Sequence, residues 1–253
     1  MSGPRPRGRL LLGILLALLF ALPSVTPAVA QSGRIMDVEF DRTYSAAEID
    51  AFIQPLFAGY RAPDARYGVD VYYVRYESVY PDGTDAPITA QLFVPRMPDG
   101  EDRDLYLFGP GSTGIIDPCR PSREHTAGIN WGLYRAHALA FTGQGMVGLV
   151  PDYMGFGDPD RVQPFFQADA GAHLMLDGIR AVRAFLREAG EPVVDGVFLA
   201  GYSQGGHAAF AAADYQPRYA PEIEITGIIG YGPTTDMHAL LREFVVVGPI
   251  VAY

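Results

Sequence analysis

The 253-residue sequence is poor in cysteine, in positive charge and in internal repetition. Its one cysteine, Cys119, is predicted to be a free thiol or to pair with a cysteine outside this sequence. Arginine and lysine together number 19 against 29 aspartate and glutamate residues, giving a formal net charge of −10, and no basic cluster follows residue 30. This balance disfavours a nucleic-acid partner. No unit of about 20–50 residues repeats, which excludes solenoid and propeller architectures.

An apolar run long enough to cross a membrane is not found near the N-terminus either. The run at residues 10–22 is shorter than the about 20 residues that a span needs. Three arginines precede it, and residues 28–30 form a small-x-small cleavage pattern. These features predict a signal peptide over residues 1–30, cleaved before Gln31, and an exported protein without a transmembrane anchor.

Glycine and proline are abundant, at 29 and 21 residues, and indicate many turns. A capping box at residues 45–48 predicts a helix that ends near Phe57. Residues 69–80 and 88–94 are rich in β-formers and flank a turn, which predicts a β-hairpin. With 49% hydrophobic residues, the chain suits one globular domain with a sizeable core.

Beyond residue 100 the sequence alternates between predicted strands and helices. Strands are predicted at 104–108, 146–150, 197–200 and 223–230, and helices at 133–141, 169–189 and 204–215. This order predicts an α/β fold with a mostly parallel sheet, an N-terminal antiparallel hairpin and helices on both faces. Functional residues in such folds are expected in the loops at the carboxyl ends of the strands.

One serine has the setting of a catalytic nucleophile. Residues 201–205, Gly-Tyr-Ser-Gln-Gly, match G-x-S-x-G between an apolar strand and a helix. We expect Ser203 on a sharp, strained turn, with Gly201 and Gly205 leaving room where strand and helix meet. The competing interpretation is an ordinary strand–helix turn with a buried serine.

A nucleophilic serine also needs two donors for the oxyanion that forms during attack. The first is expected to be the backbone N–H of Gln204, at the positive end of the following helix. The second is expected from the loop at residues 109–114, where Ser112 and Thr113 are equally good candidates. A plain glycine turn is the alternative interpretation of this loop.

Several segments together resemble the α/β-hydrolase superfamily and, within it, the bacterial and fungal secretory lipase/esterase group. They are the hairpin at 69–94, the loop at 111–114, PDYMGFGD, GYSQGG and GYGPTTDMHALL. The resemblance runs from about residue 60 to the end of the sequence. It implies hydrolysis of a small-molecule or lipid ester through an acyl-enzyme on Ser203, with no metal or organic cofactor.

The resemblance also implies a domain organisation and one departure. The α/β-hydrolase core is expected over residues 31–236, and the start of a helical cap over residues 237–253. The group often has His-Gly at the start of the oxyanion loop, where this sequence has Gly109-Pro110. The departure concerns the fine geometry of that loop, whereas its backbone is expected to keep its role.

The histidine base and the carboxylate that orients it are harder to find. In this fold they follow the serine in sequence, and only His207 and His238 do so. His207 is one helical turn beyond the serine, on the wrong side of the turn to accept its proton. His238 lies where the family begins its cap, and Asp236 is expected to cap that helix.

The earlier candidates fit the order no better. His125, His137 and His173 precede the serine, and Asp152 is expected to bond local backbone after its strand. The sequence therefore predicts an N-terminal fragment of a lipase-like hydrolase that has little turnover alone. A serine peptidase of the same fold and a non-catalytic binding protein of that fold are the alternatives, and the sequence carries no signal for an oligomeric state.

Overall fold

The computed structural model describes residues 32–57, 59–98, 100–124, 133–192 and 196–247. The strands in this part of the chain are β1 (Ile35–Tyr44), β2 (Val69–Val79), β3 (Asp85–Pro95), β4 (Leu105–Gly109), β5 (Val147–Pro151), β6 (Val197–Tyr202) and β7 (Gly227–Tyr231). Its α-helices are α1 (Ala46–Ile53), α2 (Tyr134–Thr142), α3 (Ala168–Glu188), α4 (Gln204–Tyr219) and α5 (Met237–Val247). The predicted signal peptide and His125 lie outside the described residues.

The strands form one mixed sheet in the order β1-β2-β3-β5-β4-β6-β7. The predicted hairpin is present as β2 and β3, and β3 pairs antiparallel with β5. β1, which was not predicted, pairs antiparallel with β2. Apolar and acidic side chains alternate over residues 36–41, a signal from which this strand could have been predicted.

The C-terminal half of the sheet is parallel, as expected. β4 pairs in parallel with β5 and β6, and β6 pairs in parallel with β7. The connections through α2, α3 and α4 return the chain to the same end of the sheet each time. The carboxyl ends of these strands therefore share one edge, where Gly109 is in register with Gly201 and Tyr202 with Tyr231.

Helices cover both faces of the sheet, and each face has its own core. α3 and α4 pack on one face, and α1 and α2 pack on the other. Alternate residues of one strand serve the two faces, because side chains in a strand point to opposite sides. The fully buried side chains include Tyr76, Leu107, Leu149 and Leu176 on the first face and Ile49, Phe93 and Leu139 on the second.

The predicted fold class is confirmed, although the sheet is parallel only in its C-terminal half. α4 is longer than expected, and β7 begins at Gly227, four residues later than predicted. Ile223 is nevertheless buried, because it packs in the turn that follows α4. Asp236 caps α5 as predicted, accepting the Ala239 N–H at 2.8 Å. None of the described helices combines the length and apolar character needed to cross a membrane.

Candidate active site

Ser203 lies on the turn between β6 and α4 in a backbone conformation that side chains disfavour. Its φ is 51° and its ψ is −112°. A positive φ is uncommon outside glycine, and such a residue costs about 1–3 kcal/mol. The Ser203 N–H donates to the carbonyl of Tyr231 at 3.0 Å, and the Ser203 carbonyl accepts the His207 N–H at 3.1 Å. These bonds fix the turn to β7 on one side and start the helix on the other.

Gly201 and Gly205 let three backbones meet at this turn. A Cβ on Gly201 would overlap the backbone of Gly205, and a Cβ on Gly205 would overlap the backbone of Gly109. A Cβ on Gly109 would in turn lie 2.7 Å from the Gly205 Cα. The end of β6, the start of α4 and the end of β4 are therefore in direct backbone contact.

That contact brings the loop at residues 109–114 beside the start of α4. The Ser112 hydroxyl donates to the side-chain carbonyl oxygen of Gln204 at 3.1 Å. Gln204 is only 3% exposed, so its side chain is a fixed acceptor. Its backbone N–H belongs to the first turn of α4, where N–H groups have no acceptor within the helix.

The two predicted loop donors differ in their surroundings. The Ser112 hydroxyl is used in its bond to Gln204. The Thr113 hydroxyl oxygen is buried and has no hydrogen-bond partner among the described residues. The Tyr134 hydroxyl lies beside Gly111, since a Cβ on Gly111 would be 2.8 Å from its oxygen. Ser112 thus contacts the residue that follows Ser203, and Thr113 is the loop residue whose hydroxyl lacks a partner.

Two tyrosines that sequence reasoning missed also contact this loop. The Tyr153 hydroxyl, from the loop after β5, donates to the carbonyl of Pro110. Burial raises the pKa of Tyr134 to about 12 and the pKa of Tyr153 well above its usual range, so both hydroxyls stay protonated. No spacing pattern in the sequence connects residue 153 with residue 110, so only the fold reveals this contact.

Asp152 has a structural role, as predicted, but it bonds residues that are distant in the sequence and not local backbone. Its buried carboxylate accepts the Ser122 N–H at 2.7 Å and the Ser122 hydroxyl at 2.6 Å, and also accepts the Thr89 hydroxyl. Burial raises the pKa of this carboxyl, and the three donors oppose that shift. The group fastens a loop to the sheet and is committed to these partners.

The histidines in the described part of the chain either have hydrogen-bond partners of their own or are exposed. His207 donates from Nδ1 to the Thr234 carbonyl at 3.0 Å, which leaves Nε2 as the acceptor nitrogen. Nε2 is buried without a partner among the described groups, beside a cavity of about 10 Å³, room for about one water. His238 is exposed on α5.

His137 and His173 belong to the packing of the fold. His137 packs against Phe108, with the ring centroids 4.1 Å apart and the ring planes tilted by 38°, and it hydrogen-bonds the Tyr106 hydroxyl at 2.8 Å. Its burial lowers the pKa to about 4, which keeps the ring neutral. His173 donates from Nδ1 to the Val79 carbonyl at 2.9 Å.

The described residues contain no group of three or more histidine, cysteine, aspartate or glutamate side chains placed to hold a metal ion. Cys119 is a free, half-buried thiol. The site itself presents a strained serine at the start of α4.

Comparison with known proteins shows similarity to secretory lipases. Residues 130–245 match the model of a family described as secretory lipase. Lipase 7 of Candida albicans is 39% identical over 84 residues, and Lipase A of Arthroderma benhamiae is 36% identical over 104 residues. These alignments cover 33% and 40% of this chain but only 18% and 21% of the two relatives. The resemblance to secretory lipases predicted from the sequence is confirmed.

The fold is shared with solved α/β-hydrolase structures. The rice cell wall degrading esterase LipA from Xanthomonas oryzae matches with a TM-score of 0.65 at 21% identity. The match covers 85% of this chain and 53% of that one. The chain thus spans about half the length of this structural neighbour and about a fifth of the curated relatives it matches.

Proposed function

We propose that this chain, which has the α/β-hydrolase fold and is similar to secretory lipases, carries the nucleophile of an enzyme that hydrolyses carboxylic esters. The observation that carries the proposal is the turn at Ser203, with its positive φ and its position at the start of α4. Backbone strain of this kind persists only where the surrounding structure imposes it, and such residues cluster at active sites. The substrate is a small-molecule or lipid ester.

In the proposed reaction the Ser203 hydroxyl attacks the ester carbonyl carbon while a general base takes its proton. The new C–O bond leaves a negative oxygen that accepts hydrogen bonds from the Gln204 N–H and from the loop. The C–O bond to the alcohol then breaks, and the alcohol leaves with that proton. Water, activated by the same base, hydrolyses the acyl-enzyme and restores the serine.

The base and its carboxylate partner are proposed to come from the whole protein beyond the residues described in this chain. His207 and His137 are held by partners of their own, and His238 is exposed. The relatives are much longer than the part that this chain matches. We therefore expect hydrolysis by the 253-residue chain alone to stay near background, since losing the base typically costs several powers of ten.

We propose that Thr113 supplies the hydroxyl donor of the loop and that the Ser112 hydroxyl positions Gln204. The Thr113 hydroxyl is buried without a partner, which costs about 1–3 kcal/mol of stability. An oxyanion on the substrate that accepts its hydrogen bond would remove that cost. Replacing Thr113→Val in the whole protein should lower kcat by about 10²–10³-fold, whereas Thr113→Ser should retain it. Equal kcat in wild type and Thr113→Val would reassign this role to a backbone N–H.

Export is part of the proposal, on the basis of the basic, apolar and small-residue pattern at residues 1–30 and the similarity to secretory lipases. N-terminal sequencing of protein recovered from the periplasm or the medium should begin at Gln31. Recovery of intact residues 1–30 in the cytoplasm would contradict it.

Steady-state kinetics of the whole protein test the function. We expect hydrolysis of p-nitrophenyl butyrate, loss of turnover in Ser203→Ala, and no cleavage of an aminoacyl anilide. Preference for the anilide would assign a peptidase instead. Absence of turnover on both, combined with tight binding of an ester, would assign a binding protein.

A further inference from the structure

We propose that Tyr153 is a positioning residue that sets the orientation of the oxyanion loop by holding the Pro110 carbonyl. This proposal rests on the proposed function, because it concerns the donors that the loop presents to the reacting ester. Tyr153 itself is only 6% exposed and lies behind the loop. It therefore acts through Pro110 and not on the substrate.

The position of the Pro110 carbonyl matters because this peptide lies against the turn that carries Ser203. A Cβ on Gly205 would be 2.7 Å from the Pro110 carbonyl oxygen, so the carbonyl lies directly beside the start of α4. Rotation of this peptide would move the residues that follow it, including Ser112 and Thr113. The Tyr153 hydroxyl bonds this oxygen and opposes the rotation.

Two loop residues are held by different parts of the fold. Pro110 is held by Tyr153 after β5, and Ser112 is held by Gln204 at the start of α4. The Tyr134 hydroxyl, at the start of α2, lies beside Gly111 between them. Proline has no N–H and a fixed φ, so residue 110 cannot be anchored through its own amide. Its carbonyl is the only backbone group left to accept a hydrogen bond, and the Tyr153 hydroxyl donates to it.

The rest of the surroundings of Tyr153 agree with a role in the site. It lines the small cavity that Gln204 and His207 also line, directly behind the start of α4. Its hydroxyl stays protonated over the working pH range of an esterase, because burial raises its pKa well above the usual value. The Tyr153 hydroxyl therefore remains a hydrogen-bond donor throughout catalysis.

A matched control exists in the same molecule. Tyr76 is also fully buried, and its hydroxyl donates to a backbone carbonyl, that of Leu174 in α3, at 2.8 Å. This bond joins β2 to α3, away from the loop. Tyr76→Phe thus removes a comparable hydrogen bond without a link to the loop that carries Ser112 and Thr113.

The test compares Tyr153→Phe with Tyr76→Phe in the whole protein, using p-nitrophenyl butyrate. We expect Tyr153→Phe to lower kcat by about 10- to 100-fold with KM within about threefold, because small misplacements of catalytic groups have effects of this size. Tyr76→Phe should lower Tm by a similar amount and leave kcat unchanged. Tyr153→p-aminophenylalanine, which restores a donor, should recover most of the lost kcat.

Each other outcome overturns the proposal. Equal kcat in the two Phe variants, or no recovery with the amino analogue, would leave Tyr153 without a positioning role. A Tyr153→Phe protein that fails to fold while Tyr76→Phe folds would make the role structural. Turnover that survives Ser203→Ala would refute the proposed function itself, whereas turnover lost in Ser203→Ala but retained in Tyr153→Phe would refute only the positioning.

Discussion

Ser203 adopts a φ of 51° although it carries a side chain, and its neighbours impose that conformation. Its N–H donates to the Tyr231 carbonyl. The close backbone contacts at Gly201 and Gly205 leave no space for the turn to move into a less strained conformation. The about 1–3 kcal/mol of strain is offset by the packing of the parallel strands and α4. The consequence is a side chain presented at the edge of the sheet beside the first N–H groups of α4.

The buried His137 side chain leads to a prediction about the pH dependence of the free energy of unfolding. Burial lowers its pKa from 6.5 to about 4, so the folded state resists a proton that the unfolded chain accepts. Its contribution to stability is complete above pH 6.5 and is lost as the pH falls toward 4. Between about pH 8 and pH 5 the loss should be about 2 kcal/mol.

His137→Phe should remove that part of the pH dependence. Urea unfolding at about pH 8 and pH 5 gives the change in free energy within each protein, so any constant destabilisation by the substitution cancels. The change should be about 2 kcal/mol smaller in the variant than in the wild type. Identical changes in both proteins would mean that the ring is protonated in the folded state as easily as in the unfolded one.

Between elements, the decisive contact is the meeting of β4, β6 and α4 at three glycines. Gly205→Ala would push a Cβ into the Gly109 backbone, which cannot swing aside as a side chain can. We expect a loss of about 3 kcal/mol or more in the free energy of unfolding, measured by urea denaturation.

Gly83→Ala is the control for that substitution. Gly83 lies in the turn between β2 and β3, has a φ of 83° and would have no neighbouring atom within 4 Å of an added Cβ. Its replacement adds backbone strain without a clash and should cost about 1–2 kcal/mol. Equal losses in the two variants would show that the close contact at Gly205 relaxes more easily than its geometry indicates.

The strand–helix alternation and the G-x-S-x-G turn could be predicted from the sequence, because both depend on residues that are close together in the chain. The alternation at residues 36–41 that indicates β1 was also available. The hydrogen bond from Tyr153 to Pro110 could not be predicted, since it joins residues 43 apart through the pairing of β4 with β5. Ser112 and Thr113 were equivalent in sequence and became distinguishable only through Gln204.

For the molecule as a whole, the proposed function assigns one side of a hydrolase site to the described residues. Ser203, the start of α4 and the loop at 109–114 meet at one edge of the sheet, where Gly109 and Gly201 are in register. The histidines of this part of the chain are bound in packing or exposed on α5. We therefore infer that Ser203 is a nucleophile whose base is provided by the rest of the whole protein.

Covalent labelling is the sharpest test of that inference. The whole protein is treated with a fluorophosphonate, and the modified residue is identified by intact-mass measurement and peptide mapping, with Ser203→Ala and the 253-residue chain in parallel. We predict one adduct on Ser203 in the whole protein, none in Ser203→Ala, and labelling of the chain alone slower by several powers of ten. An adduct on another residue, or labelling that persists in Ser203→Ala, would contradict the assignment of Ser203 as the nucleophile.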